Sequence, residues 1–538
     1  MFHVNRSLRG IELTAVITSV SLFLRFPGVF GFSPLIEIIW LYLLCGVLIL
    51  FEIRREKPRF NAICFLSALA MTASFFACFI LHSHSLSTTP LKFLGSFLVF
   101  LAFYLLFWAF SRLNLTSFRS LDPGRHLRGG ELVLLCAVYL LILFICYRYA
   151  FPYVKSGDTT SQWNQIHGIE PYTTIHAIGH TIFLKVLLSV WDSYIFVILV
   201  HIASLTALYL FLSDYAYTKG IPPWFSCLLC SLALIWTIAA TEAYFAPWKD
   251  TPAAICLCLV SLLIARHLDG AGLTVPQALL LGIVLAWCAL FRLNGLIAVL
   301  VCGMFFLLSF LKRQQGRQLA AFLLGLTVSF GSVSLYSSLM LHPASPENGF
   351  ALQVLGSGIA AVVHDDPITD SEREEIDSLL PIDWMQSHYT DMYSKRGLFW
   401  DRDLCARIQE DPTLAIMNND FVLHLGDHKL EVIQLYFRLL PHHFRTMFFD
   451  ALGSFSLIWS QETPLFVTNP LFWAALIAVL ACQIHLPLYK WAVFLPCICN
   501  TISIMLATAT NERRYMLPSF LIAPFYIIYL IEQAPQRE

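Results

Sequence analysis

Charge is scarce in this chain. Only 13% of its 538 residues are Asp, Glu, Lys or Arg, while 58% are apolar. A soluble protein carries about 25% charged residues, so a water-facing globule is excluded. A basic surplus is missing too. Lys and Arg number 34 against 35 Asp and Glu, a net charge of −1, which argues against nucleic acid as a partner. Nor is there a disulfide or zinc framework. The 15 cysteines fall almost wholly inside apolar runs, and the C-x-x-C at Cys227 and Cys230 sits mid-run with no matching pair. They read as small buried hydrophobes. No A-x-A-like cleavage site follows the first apolar run, so that run reads as an anchor that stays in the membrane.

What is abundant is apolar sequence in lengths that fit a bilayer, roughly 20 residues each. Such runs lie near 11–30, 32–51, 60–82, 91–111, 130–151, 193–213, 222–242, 250–266, 276–290, 293–310, 318–341, 466–484, 491–508 and 514–532. The expected fold is an all-α polytopic membrane protein with about 13–14 transmembrane helices. Basic runs set its orientation. RREKPR at 54–59, SRLNLTSFRSLDPGRHLRGG at 111–130 and KRQQGR at 312–317 belong in the cytoplasm, and HSHSLSTTP at 82–90, without Lys or Arg, belongs outside. Two outer segments stand out. The loop 152–192 ends in TTIHAIGHTIFLKVLLSV, amphipathic and too polar to span, which suits a helix along the membrane surface. Region 342–465 holds most of the acidic residues and shows helical spacing in SEREEIDSLL, so it reads as one small folded soluble element.

Four polar clusters fall at this outer face. GDTTSQWNQIHG carries Asp158, TEAYFAPWKDTPAA carries Lys249 and Asp250, LFRLNG carries Arg292 and Asn294, and TATNERRYMLP carries Glu512, Arg513, Arg514 and Tyr515. Each has an ordinary reading. Arg292 suits snorkelling to headgroups, Lys249 and Asp250 could neutralise each other, Tyr515 suits an interfacial belt, and Asp158 alone could be a loop acid. Together they put several cations and one or two carboxylates at one interface, which suits an anionic lipid headgroup beside a general base. His176 and His180 stand four apart on an expected helix, a spacing that can bind metal, but the stretch reads HAIGH without the glutamate of H-E-x-x-H. His176 facing the cavity of Asp158 is the preferred reading, and no metal site is assigned. The pair His442–His443 is read as interfacial, with no role.

The order of these motifs resembles the GT-C superfamily of integral membrane glycosyltransferases, which use polyprenyl-phosphate sugars and include the protein mannosyltransferases and the aminoarabinose transferase of lipid A. The loop GDTTSQWNQIHGIEPYTTIHAIGHT is most similar to a bacterial branch with a D…Q…Q-G…Y…H-P…HT pattern, from which it departs at Ala177, where the branch has proline. The resemblance covers roughly 130–532. It implies a GT-C-like core at 130–341 with its catalytic outer loop at 152–192, the outer region 342–465 and C-terminal membrane helices at 466–532. The four-helix extension 1–111 is an addition to it. The resemblance implies Asp158 as catalytic base, with His176 beside it, and Lys249, Arg292, Arg513 and Arg514 as holders of the donor phosphate. Gln162, Trp163, Gln165, Tyr172, Asp250, Asn294, Glu512 and Tyr515 are substrate-binding candidates. No second acidic residue adjoins Asp158, so no cofactor is assigned and a divalent cation is left open.

The expected activity is transfer of a sugar from a polyprenyl-phosphate donor to a cell-envelope acceptor (glycan, lipid or protein) on the outer side of the cytoplasmic membrane. Three other classes compete, one of them a scaffold for cell-envelope assembly in which Asp158 would be dispensable. A polymerase or ligase of lipid-linked oligosaccharides would use Arg and His of a large outer loop. A flippase would line a path at mid-depth, whereas here the polar residues gather at one face.

Overall fold

In a computed structural model the protein is helical, with no β-strand among the described residues. The structure describes residues 61–75, 89–154, 157–173, 176–241, 245–270, 272–343, 352–390, 396–399, 420–454, 470–507 and 513–535. The expected spans 11–30 and 32–51 lie outside these residues.

The membrane part begins with α1 (Ala62–Phe75) and α2 (Thr89–Ser111), followed by α3 (Gly129–Ala150). Two short helices come next, α4 (Gly157–Ile166) and α5 (Ile178–Val190). Then come α6 (Tyr194–Thr218), α7 (Pro223–Thr241), α8 (Asp250–Leu268), α9 (Val275–Phe291), α10 (Leu296–Lys312) and α11 (Gly316–Tyr336). Among the described residues seven helical segments are long and apolar enough to cross a membrane, and six shorter apolar helices accompany them. The chain is therefore polytopic, and most of the expected runs that are described coincide with helices, several of them short.

The shortening has a local cause. α9 starts at a capping box, in which Gln277 accepts from the backbone N–H of Thr274 at 3.0 Å, and stops where Arg292 leaves helical geometry. Its 17 residues make about 26 Å against a hydrocarbon core of about 30 Å. A 3-10 turn, Leu293–Gly295, then reverses the chain into α10. This turn is tight because Gly295 packs against α9, where a Cβ would stand 2.2 Å from the carbonyl oxygen of Cys288. Arg292 is thereby held at the rim of the apolar layer. Glycine also sets the α9–α11 crossing: a Cβ on Gly282 would meet the Phe322 carbonyl at 2.2 Å, and one on Gly325 the Leu279 carbonyl at 2.4 Å.

After α11 comes the region expected outside the membrane, built from α12 (Gln353–Asp365), α13 (Asp370–Asp377), α14 (Ile382–His388), α15 (Arg396–Phe399), α16 (Asp420–Asp427), α17 (Lys429–Leu439) and α18 (Phe444–Ser454). α13 is the helix expected from SEREEI. Thr369 caps it by accepting from the N–H of Glu372 at 3.2 Å, while Glu372 accepts from the N–H of Thr369 at 2.8 Å. The region has an apolar core of its own around α12, including Ile359, Val363, Met385, Leu435 and Met447. Asp450 is buried there and accepts from Ser357 at 2.9 Å and Tyr389 at 2.8 Å. His443, read from sequence as interfacial, belongs instead to this unit. It is buried between Asp366, 2.8 Å from Nδ1, and Glu372, 3.4 Å from Nε2.

The chain returns to the bundle as α19 (Pro470–Gln483), a 3-10 stretch Leu488–Phe494, α20 (Leu495–Ala507), a 3-10 turn Arg513–Met516 and α21 (Leu517–Gln533). The segment containing α21 is the most buried of the seven and packs on α7, α8 and α19. Its far end is tied by Glu532, which pairs with Lys219 and accepts from Tyr215 at 2.6 Å. That fixed helix brings residues 513–516 beside α7 and the strip just before α8.

Candidate functional site

The site is built by anchoring three separate segments to one another. Beyond α3 the backbone N–H of Val154 donates to the carbonyl of Phe245 at 2.9 Å, which ties the loop after α3 to the strip before α8. Tyr147 donates to the carbonyl of Pro152 at 2.8 Å, and Tyr194, at the start of α6, donates to that of Thr159 at 2.7 Å. α4 is thereby held with Asp158 in its first turn, where the helix dipole favours a carboxylate. α5 is pressed onto α9 because Gly179 has no Cβ, which would stand 2.5 Å from the Leu290 carbonyl.

Asp158 is buried and meets two cations, Arg514 at 3.4 Å and Lys249 at 3.7 Å. Asp250, the residue after Lys249, pairs with Arg292. So Lys249 and Asp250 do not neutralise each other. They pair crosswise with Asp158 and Arg292. Arg292 also donates from Nε to Asn294 at 3.1 Å and lies 4.6 Å above the ring of Tyr515. Arg514 sits 4.4 Å over Trp248 and 5.4 Å over Tyr515. The aromatic faces hold both guanidinium planes in place and favour their charge. Among the described residues the cluster sets three permanent cations against two carboxylates. The Oδ2 of Asp250 is buried with no hydrogen-bond partner among them, a costly state that a hydroxyl of a bound molecule would relieve.

Electrostatics sharpen this arrangement. Burial by itself raises the pKa of Asp158, but Arg514, Lys249, His176 and Arg292 outweigh it and hold the carboxyl well below the usual carboxylate range. Burial, reinforced by Lys249, pushes His176 down to about 4, against a partial upward pull from Asp158. His176 is therefore neutral at neutral pH, a hydrogen-bonding group beside a charged pair. Such perturbed groups gathered in one cluster mark functional sites.

The expected residues thus divide. Asp158, His176, Lys249, Asp250, Arg292, Asn294, Arg514 and Tyr515 come together. The side chain of Arg513 and the whole of Glu512 lie outside the described residues. Gln162 acts as a brace, its amide facing Nδ1 of His180 at 3.1 Å and Oγ1 of Thr181 at 3.1 Å. Gln165 bonds within its own loop, to Ser161 at 3.4 Å and Thr173 at 3.2 Å. Trp163 packs edge-on against Tyr194 and stacks on His167, and Tyr172 accepts from Lys185 at 3.0 Å. These four shape the loop around Asp158 and have no recorded contact with its carboxylate. His176 and His180 do not share a helix face, because α5 begins only at Ile178. Among the described residues no group of three or more His, Cys, Asp and Glu could hold a metal. Trp248 was not foreseen. Its signal is the PWKD sequence, an aromatic next to a charged helix start.

What the arrangement can do is hold an anion. Two cations share one carboxylate, and a third stands beside them. An entering phosphate could take over Lys249 and Arg514, and Arg suits phosphate because its fork matches two oxygens. No family model, curated protein or solved structure matches this chain.

Proposed function

We propose that the protein is a membrane glycosyltransferase that moves a sugar from a polyprenyl-phosphate donor to a cell-envelope acceptor on the outer face. The observation that carries this reading is the shared ion pair, in which buried Asp158 stands between Arg514 and Lys249 at one end of the helices, the end that the basic runs predict to face outward. A lipid-borne phosphate reaches such a place from the bilayer, and a base is already there.

The reaction is a single displacement at the sugar C1. The acceptor oxygen forms a bond to C1, the bond from C1 to the phosphate oxygen breaks, and the acceptor proton passes to Asp158. The polyprenyl phosphate leaves with the electron pair, and the anomeric centre inverts. In the resting protein Asp158 is a weak base because its cations hold its charge. When the donor phosphate takes Lys249 and Arg514, Asp158 loses its partners and its basicity rises toward the acceptor hydroxyl. The same cations then stabilise the charge that grows on the leaving phosphate. Arg292, locked to Asp250 and Tyr515, keeps its place and adds field. Asp250 accepts from a sugar hydroxyl.

Native mass spectrometry of the protein released gently from its own membrane tests the donor. A co-purified polyprenyl-phosphate sugar supports the reading, and its loss in Arg514→Ala assigns the phosphate to this cluster. Ordinary phospholipid alone, with no difference between wild type and variant, would remove the basis for a lipid-phosphate donor.

A further inference from the structure

The 352–454 region buries one side of α17 and α18 and leaves the other side apolar and exposed. Both helices pack on α12. Val432, Leu435 and Leu439 of α17 and Met447 of α18 enter the region's core. Leu430 and Phe437, two helical turns apart on the other side of α17, are 71% and 61% exposed. On α18, Phe444, Phe448 and Phe449 are exposed as well. Their rings touch in turn, with centroids 5.6 Å apart from Phe444 to Phe448 and 5.9 Å from Phe448 to Phe449. The three rings leave roughly 300 Å² of apolar surface in one strip, which a water-facing domain seldom does.

Charge stands to the side of this strip. The acidic helix of the region is α13, DSEREEID, and Arg438 of α17 pairs with its Glu375. The one acidic residue of α18, Asp450, is buried. Exposed His442 and Arg445 border the phenylalanines. Aromatic rings bordered by a basic side chain are the composition of a helix at headgroup level. The position in the fold agrees. The chain enters the region from α11 through a π-helical turn, Ser337–Leu341, in which Leu339 and Met340 are exposed, and leaves it for α19. α12 also packs on α20, and α20 packs on the Leu293–Gly295 turn that follows Arg292. On α20 the exposed Ile498, Ile502 and Leu506 recur every four residues, a stripe that faces lipid. The region thus rests on a helix whose outward side is in the bilayer, at the end of the bundle that holds Asp158.

We infer that the apolar face of α17 and α18 lies in the interfacial layer of the same membrane, in the leaflet at the Asp158 end. Phe437, Phe444, Phe448 and Phe449 enter the upper part of the acyl chains, and Arg445 stays among the headgroups. Lipid is the occupant because the region is tied to membrane helices before and after it and packs on a third, so the bilayer surface is within its reach. The contact holds the region down beside the Asp158 cluster. The inference concerns this docking alone and is independent of the reaction assigned to Asp158.

The test puts a photoreactive benzophenone on this face of the full chain. Phe437→p-benzoylphenylalanine and Phe448→p-benzoylphenylalanine change exposed rings, so the larger group displaces no core packing. Each variant is irradiated in liposomes of phosphatidylcholine and phosphatidylglycerol, and the adducts are read by mass spectrometry. Lipid adducts should form at both positions, about tenfold more than at Glu374→p-benzoylphenylalanine on the exposed side of α13. Adducts joining two copies of the chain in place of lipid would assign the face to self-association and overturn the inference. A lipid yield at 437 and 448 no higher than at 374 would overturn it too, since the face then meets water or protein.

Discussion

At the scale of single residues the account rests on how charges are partnered. Lys249 and Asp250 are neighbours in sequence, yet successive residues entering a helix point about 100° apart, so each meets a different partner. That is why the polar clusters were legible in the sequence and their pairing was not. Charged residues at the ends of apolar runs stand out, but which cation meets which carboxylate is fixed by the packing of α8 and α21. The role of Trp248 was hidden for a similar reason, since an aromatic at a helix start looks like an interfacial anchor until Arg514 is found lying on it. Trp248→Leu should therefore raise the donor KM about fivefold with a smaller effect on kcat, measured by steady-state transfer. His176 gives a pH prediction. Its unfolded imidazole takes up a proton near 6.5 and the folded one only near 4. Between these values the unfolded chain binds more protons, so stability falls as pH drops from 6.5 to 4. The contribution is on the order of 3 kcal/mol at full extent. His176→Gln should flatten the wild-type loss of Tm over that window, followed in detergent by thermal unfolding. An unchanged slope would place the sensitivity in other histidines.

At the scale of elements, glycine decides how closely helices approach. Gly282 and Gly325 face each other across α9 and α11, and the carbonyls they meet belong to backbone, which cannot give way as a flexible side chain can. Gly282→Ala should lower stability by about 1–3 kcal/mol, read as a lower Tm in detergent. It should also reduce transfer, because α9 carries Arg292 at its end. Sequence reading found most helices because lipid demands long apolar runs, and it found α13 through the helical spacing of SEREEIDSLL. It missed α4 because GDTTSQWNQI is polar and lies in a loop. Such a helix is held by tertiary bonds, those of Tyr194 and Gln162, and by Trp163 and Ile166 packing on Leu184, Leu188 and Tyr194, contacts that its own sequence does not announce. It placed His176 on a helix that begins two residues later, since nothing local marks Ile178 as the start.

At the scale of the whole molecule, the polar site lies at one end of an apolar bundle. The basic runs predict which end faces which compartment. Thr160→Cys, at an exposed position of the otherwise mostly buried α4, should react with a membrane-impermeant maleimide in intact cells, and Gln314→Cys, in the turn after α10, only after permeabilisation. The reverse pattern would invert the topology and take the Asp158 cluster away from an outer acceptor. The arrangement also explains why charge is so sparse. Most of the few charged residues that are described gather at helix ends or in the 352–454 region, and those buried around Asp158 converge on one spot. The most direct measurement of the central claim is transfer from a polyprenyl-phosphate sugar by purified protein in proteoliposomes, comparing wild type with Asp158→Asn at matched donor occupancy. The base role predicts a loss of about 10²–10⁴ in kcat while the donor still binds. Transfer by Asp158→Asn at the wild-type rate would contradict it.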